Sequence, residues 1–239
     1  MTRIGLGVRL PHRQGPPSVF LPNKIVSSFG WWRSDLGITL NGADVSAWAD
    51  QIGTNHLLQA TEAKQPLYVA TGGPGSTPYV AFDGVAHFMQ VIYTLAQPWT
   101  IMAIIKPSAT ADATGGPFAI DGGIIFGCAV RVLGANTVNG YYGTSATISH
   151  TTTADIDDWQ VIRSDCDGAA NGTFTSDDDT PSTSGSVGTV GAAGMALGAA
   201  GSEAAWADTH VAEVCMFNAV LGAADIARMR AYFAARYGL

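Results

Sequence analysis

The chain has 239 residues, of which 47% are hydrophobic and only 13% charged, against roughly 25% charged in an average globular protein. Its net charge of −7 speaks against a general nucleic-acid binder, which needs clustered Lys and Arg to neutralise phosphates, and the apolar content excludes charge-driven disorder. The 29 glycines and 11 prolines suit many turns between short strands better than a helical bundle, so one large all-β domain is expected.

Charge is uneven along the chain. Residues 1–33 carry Arg3, Arg9, Arg13, Lys24 and Arg33 and no acid, whereas residues 34–221 carry four bases and eighteen acids. Residues 1–30 read as an extended basic arm, because Pro11, Pro16, Pro17 and Pro22 remove backbone donors and Gly5, Gly7, Gly15 and Gly30 interrupt any periodic pattern. The run Ile4 to Val8 is too short and glycine-broken for a secretory signal, which predicts a chain made in the cytoplasm. No membrane insertion is expected, since the longest charge-poor candidate, Ser186 to Gly201, is mostly Gly and Ala. Cys128, Cys166 and Cys215 are far apart and form no CxxC, so buried free thiols are predicted rather than a disulfide scaffold or a zinc knuckle.

The main domain is expected over residues 31–239, as short β-favouring runs between turn signals. Pro78 to Phe82, the Asp83-Gly84 turn pair and Ala86 to Ile92 predict a hairpin. Trp99 to Lys106 is apolar almost throughout and predicts a strand buried on both faces. Further runs lie at Gly123 to Val130, Thr137 to Tyr142, Trp159 to Ser164, Gly172 to Ser176, Met195 to Gly198 and His210 to Phe217. The Ser, Thr, Gly and Ala stretch from Asp177 to Gly194 predicts a long surface loop. Ile226, Met229, Phe233 and Tyr237 recur at helical spacing between Gly222 and Gly238, predicting a helix over 222–237.

Four phrases in this order carry a resemblance: Val45-Ser46-Ala47-Trp48-Ala49-Asp50, Pro78-Tyr79-Val80-Ala81-Phe82-Asp83-Gly84-Val85, the strand from Pro98 to Pro107, and Val211 to Phe217 with the helix ending Ala231 to Gly238. Together they resemble the laminin-G-like jelly rolls of the concanavalin A-like lectin and glucanase superfamily, frequent in tailed-phage structural proteins. The resemblance covers roughly residues 31–239 and implies a two-sheet antiparallel jelly-roll sandwich with one C-terminal helix, and no activity by itself. It departs after Trp48-Ala49-Asp50, where the family's Ser-Gly-rich turn is replaced by Gln51-Ile52-Gly53-Thr54-Asn55.

Glycosidic hydrolysis needs two carboxylates flanking the bond, yet Glu62, Glu203 and Glu213 are never two or four apart. Glu213 is expected to be structural, sharing a strand face with Val211, Cys215 and Phe217, with Asp208 on the opposite face. There is no Gly-x-Ser-x-Gly elbow, no Walker string, and Leu10 stands where a third glycine would follow Gly5 and Gly7. Laminin-G-like domains often hold calcium, and for that hard cation the resemblance leaves Asp165 and Asp167, with Asp177-Asp178-Asp179 as a second acid cluster. Sugar recognition favours an aromatic platform with polar neighbours, for which Tyr141 and Tyr142 beside Asn139, and Trp206 with Asp208, are the loop-edge candidates. Trp48, Trp99 and Trp159 are expected in the core.

The expected function is a non-enzymatic virion accessory protein, docked on other virion proteins by Arg3, Arg9, Arg13 and Lys24 and displaying a lectin-like domain at the virion surface. Host-glycan adsorption and capsid decoration are its two forms, and repeated display suits a homo-oligomer. A free carbohydrate-binding module is the alternative, and a glycoside hydrolase the third reading.

Overall fold

The computed structural model describes residues 20–108, 118–121, 128–132, 137–142, 146–151, 157–177, 180–184, 188–189, 191–199 and 206–239. Its strands are β1 (Ser28–Arg33), β2 (Ile38–Asn41), β3 (Asp44–Trp48), β4 (Leu57–Leu58), β5 (Leu67–Val69), β6 (Tyr79–Asp83), β7 (Met89–Leu95), β8 (Trp99–Pro107), β9 (Phe118–Asp121), β10 (Cys128–Val132), β11 (Thr137–Tyr142), β12 (Ala146–Thr151), β13 (Gln160–Cys166), β14 (Gly172–Ser176), β15 (Ser182–Ser184), β16 (Ala192–Leu197) and β17 (Asp208–Phe217), followed by helix α1 (Ala223–Tyr237).

All pairings are antiparallel. β17 is the spine of the central sheet: β8 runs along one edge, and β1 and β6 share the other. Beyond β8 the sheet continues through β13 and β14 to β15. The second sheet runs β2, β3, β4, β7, β16, β9, β10, β11, β12. β5 joins the two by pairing with both β3 and β6. The protein is an all-β sandwich with a C-terminal helix.

Period-two alternation makes three layers from two sheets. Ile101, Ala103 and Ile105 of β8 enter the core between the sheets, with Trp48, Phe82, Met89, Leu197 and Phe174. Met102 and Ile104 of the same strand face the other way, into a second apolar layer closed by Met229, Tyr232, Phe233 and Tyr237 of α1. This explains why β8 is apolar on both faces. The helix starts after Gly222 and stops at Gly238, whose φ of 75° is left-handed and whose N–H donates to the Ala234 carbonyl.

Several sequence expectations need correction. β6 and β7 are not a hairpin, because β6 pairs with β5 and β17 whereas β7 pairs with β4 and β16 in the opposite sheet. The chain therefore crosses between layers here, Phe82 and Met89 entering the shared core from opposite sheets, and Asp83 Oδ1 organises the corner by accepting the N–H groups of Val85, Ala86 and His87 at 2.9 Å each. Strands β1 to β5 precede the first run that alternation revealed, since several are two to four residues long and β2 is mostly exposed. Phe20 packs on Tyr232, Ile25 lies in the helix-side layer and β1 begins at Ser28, so residues 20–30 are part of the packed domain. The Gly123–Val130 run meets a described strand only from Cys128, and β12 was not anticipated. Within the expected 177–194 loop, Ser182–Ser184 pairs with β14 and Ala192 with Leu95 of β7. On β17 a bulge between Val211 and Glu213 breaks the alternation. Val211 therefore enters the inter-sheet core, while Cys215 and Phe217 face the helix with Glu213.

Candidate functional site

A groove of about 620 Å³ lies on the second sheet between β7 and the 54–64 segment, lined by His56, Leu58, Gln59, Thr61, Gln90 and Ile92 among others. Its floor is held by side-chain amides. Gln59 Nε2 donates to the Phe88 carbonyl (3.1 Å), Gln59 Oε1 accepts the Thr61 N–H (3.0 Å), and Gln65 Nε2 donates to the Gln59 carbonyl (2.8 Å). Leu58 and Ile92 are 54% and 75% exposed, which leaves an aliphatic strip along the groove. His56 Nδ1 accepts the Asp50 N–H at 3.1 Å, so in the neutral ring the proton sits on Nε2 as a donor. The variant turn Gln51 to Asn55 wraps around Asp50, whose carboxylate accepts the N–H groups of Trp31, Ile52, Gly53 and Asn55. No Asp or Glu is among the described residues lining the groove, so no two-carboxylate hydrolysis can be built there from them.

Of the sequence candidates, Trp206 is half-buried and meets the groove-lining Phe88 edge-on, with centroids 5.8 Å apart. Asp208 opens β17 opposite Asp83, at the corner between the sheets. Tyr141 and Tyr142 lie on β11 opposite Thr147 and Ala146 and so occupy opposite faces; their side chains, like Arg3, Arg9, Arg13, Asp178 and Asp179, lie outside the described residues. Lys24 is exposed at the end of a 3-10 turn whose Pro22 is buried.

The two calcium candidates do not converge. Asp165 is buried, accepting the Thr100 hydroxyl at 2.7 Å and pairing with Arg163 at 3.0 Å, and burial raises its carboxyl above the ordinary value against the pull of both partners. Asp167 instead closes the β13–β14 turn, accepting the N–H groups of Ala169 and Asn171. Among the described residues no group of three or more His, Cys, Asp or Glu is placed to hold a metal.

Glu213 is wholly buried, and its partners are side chains. It accepts Trp31 Nε1–H at 2.6 Å, the Tyr232 hydroxyl at 2.9 Å and the Tyr237 hydroxyl, and Arg236 Nε lies 3.7 Å away. Arg236 also reaches Asp35, which Arg33 holds at 2.8 Å. These bonds fasten α1 to β1 and β17. A carboxylate so enclosed serves the fold.

The groove residues were missed because they are ordinary types in short segments. One signal was present: Val91-Ile92 is an apolar doublet in an otherwise alternating strand, which forces one side chain outward.

No protein-family model matches the chain, and no curated protein matches it. Among solved structures it is similar to Trypanosoma rangeli sialidase, with 13% identity and a TM-score of 0.56 over 85% of this chain and 32% of that one. It is also similar to botulinum neurotoxin type C, with 10% identity and a TM-score of 0.60 over 87% of this chain and 51% of the other. The binding domain of Paraclostridial Mosquitocidal Protein 1 gives 9% identity and a TM-score of 0.60, over 89% of this chain and 53% of the other. The chain thus spans about a third of the sialidase and half of the toxin chains. At such identities the likeness shows the sandwich fold alone.

Proposed function

We propose that the chain is a non-enzymatic glycan-binding sandwich that uses the groove between β7 and the 54–64 segment. The observation that carries this reading is the groove's composition: an exposed aliphatic strip of Leu58 and Ile92 beside Gln90, Thr61, Lys64 and the His56 imidazole, with no lining carboxylate among the described residues. A pyranose has apolar C–H faces and hydroxyl edges, and a site that sets polar side chains beside an apolar strip suits both. Support also comes from the fold's company, since cell entry of botulinum neurotoxin type C depends on two ganglioside molecules. The setting we propose is a tailed-phage particle, with the basic leader docking on acidic neighbours by charge and strand pairing. The four resembling phrases and the leader's run of bases without an acid support it.

The test is a glycan array and titration calorimetry with the full chain, repeated with Gln90→Ala and Ile92→Asp. Retention of a defined glycan class, lost about tenfold or more in either variant at unchanged melting temperature, is expected. Absence of any glycan binding overturns the reading, and release of reducing ends from the panel overturns its non-enzymatic part.

A further inference from the structure

The outer face of the central sheet carries an aromatic cluster remote in sequence from the groove. Tyr79 alternates on β6 with Val80, which enters the inter-sheet core, and His210 alternates with Val211 on β17. Trp159, just before β13, packs on the same helix-side layer. The three rings meet: Tyr79 and His210 centroids are 4.7 Å apart, Tyr79 and Trp159 5.5 Å, and Trp159 and His210 6.2 Å.

All three residues are half-buried, where ordinary core aromatics such as Trp48 and Trp99 are at 0% exposure. Their polar tips are also unspent. Among the described residues the Tyr79 hydroxyl, the Trp159 indole N–H and the His210 ring nitrogens have no hydrogen-bond partner. Tyr and Trp usually find one when buried, so these tips are left to solvent or to a ligand. Burial lowers the His210 imidazole below its ordinary value, and Lys106 adds to this against the pull of Asp208; the ring is neutral at pH 7 and offers one donor and one acceptor. Lys106 is the β8 residue paired with His210, and Asp208 lies two residues before it on the same face. The two charges that act on His210 are of opposite sign, and exposed Asp157 and Asp158 precede Trp159, a setting that suits a neutral polyhydroxylated ligand better than a polyanion.

We propose that Tyr79, Trp159 and His210 form a second carbohydrate subsite, which takes the C–H face of a neutral pyranose on its rings and the sugar hydroxyls on their polar tips. This goes beyond the groove and stands or falls separately from it. The sequence anticipated an aromatic platform but looked for it on loop edges, whereas these residues converge only through the pairing of β6 with β17 and the packing of Trp159 beside them.

The experiment titrates the full chain with linear neutral hexasaccharides (cello-, xylo-, malto- and manno-), following heat and tryptophan fluorescence. Trp159→Ala and Tyr79→Ala should weaken the best ligand about tenfold or more, while Ile92→Asp in the groove leaves this component unchanged. Trp159→Phe keeps an aromatic ring and removes the indole N–H, so a partial loss there with unchanged melting temperature separates recognition from misfolding. Binding that Ile92→Asp abolishes and Trp159→Phe and Tyr79→Phe leave untouched overturns the subsite while sparing the groove. No neutral hexasaccharide bound, with other glycans still retained, also overturns the subsite alone.

Discussion

Glu213 shows what a single buried charge-bearing residue does for this fold. Desolvating a carboxylate costs several kcal/mol, and three donors from β1 and α1 answer that cost at 0% exposure. Glu213→Leu should destabilise the protein by about 3–5 kcal/mol in urea unfolding, because the Trp31 N–H and two tyrosine hydroxyls would be left buried without their acceptor. Glu213→Gln keeps one oxygen and should cost about 1–3 kcal/mol at acid pH. Burial holds the Glu213 carboxyl above its ordinary 4.5, against the pull of Tyr237, Trp31, Tyr232 and Arg236. A raised folded-state value means the native protein binds the proton more tightly, so this contribution is complete below pH 4.5 and is lost as pH rises through the folded value. Glutamine carries no such titration. The deficit of Glu213→Gln relative to wild type should therefore shrink as pH rises from 4 upward, and a deficit that grows instead would show that the carboxylate form is the one the fold prefers.

At the scale of elements, α1 is the cap that turns a two-layer sandwich into three layers. Met229 and Phe233 are both at 0% exposure beneath it, against Met102 and Ile104 of β8. Phe233→Ala should cost about 3–5 kcal/mol through lost burial and the cavity left behind, seen as a lower urea midpoint at an unchanged m value. This helix was legible in the sequence because four apolar residues at helical spacing ended at a glycine. β8 was equally legible as a continuous apolar run, and β11 and β14 have the expected bounds. The β6–β7 corner was not, since Asp83-Gly84 reads as a hairpin turn and only the strand partners, β5 and β17 for β6 against β4 and β16 for β7, show that the layers change. Close approach adds to this: Gly198 has φ +83° and a Cβ there would lie 2.1 Å from the Phe82 ring. The candidate sites were less legible still, because the groove joins short segments and the aromatic cluster joins Tyr79, Trp159 and His210 across three separate stretches of chain.

At the scale of the molecule, the basic leader and the sandwich have separable roles under the proposed function. Phe20 packs on Tyr232, and Ile25 belongs to the helix-side layer, so a cut that tests the leader without wounding the domain removes residues 1–19 and no more. The shortened chain should keep the full chain's melting temperature and its glycan affinity, because the residues of the groove and of the aromatic cluster named above all lie between 54 and 210. If the leader docks on a particle, the shortened chain should fail to join particles during assembly in its host, read by mass spectrometry of purified heads and tails. The charge argument adds a second observable, since replacing Arg3, Arg9 and Arg13 with Gln should weaken attachment and reduce its salt dependence, screening being strong beyond about 10 Å at 0.1 M. Enrichment of the intact chain with tails would point to adsorption, and enrichment with heads to decoration. Its absence from both, with glycan binding intact, would leave the free carbohydrate-binding module as the surviving reading.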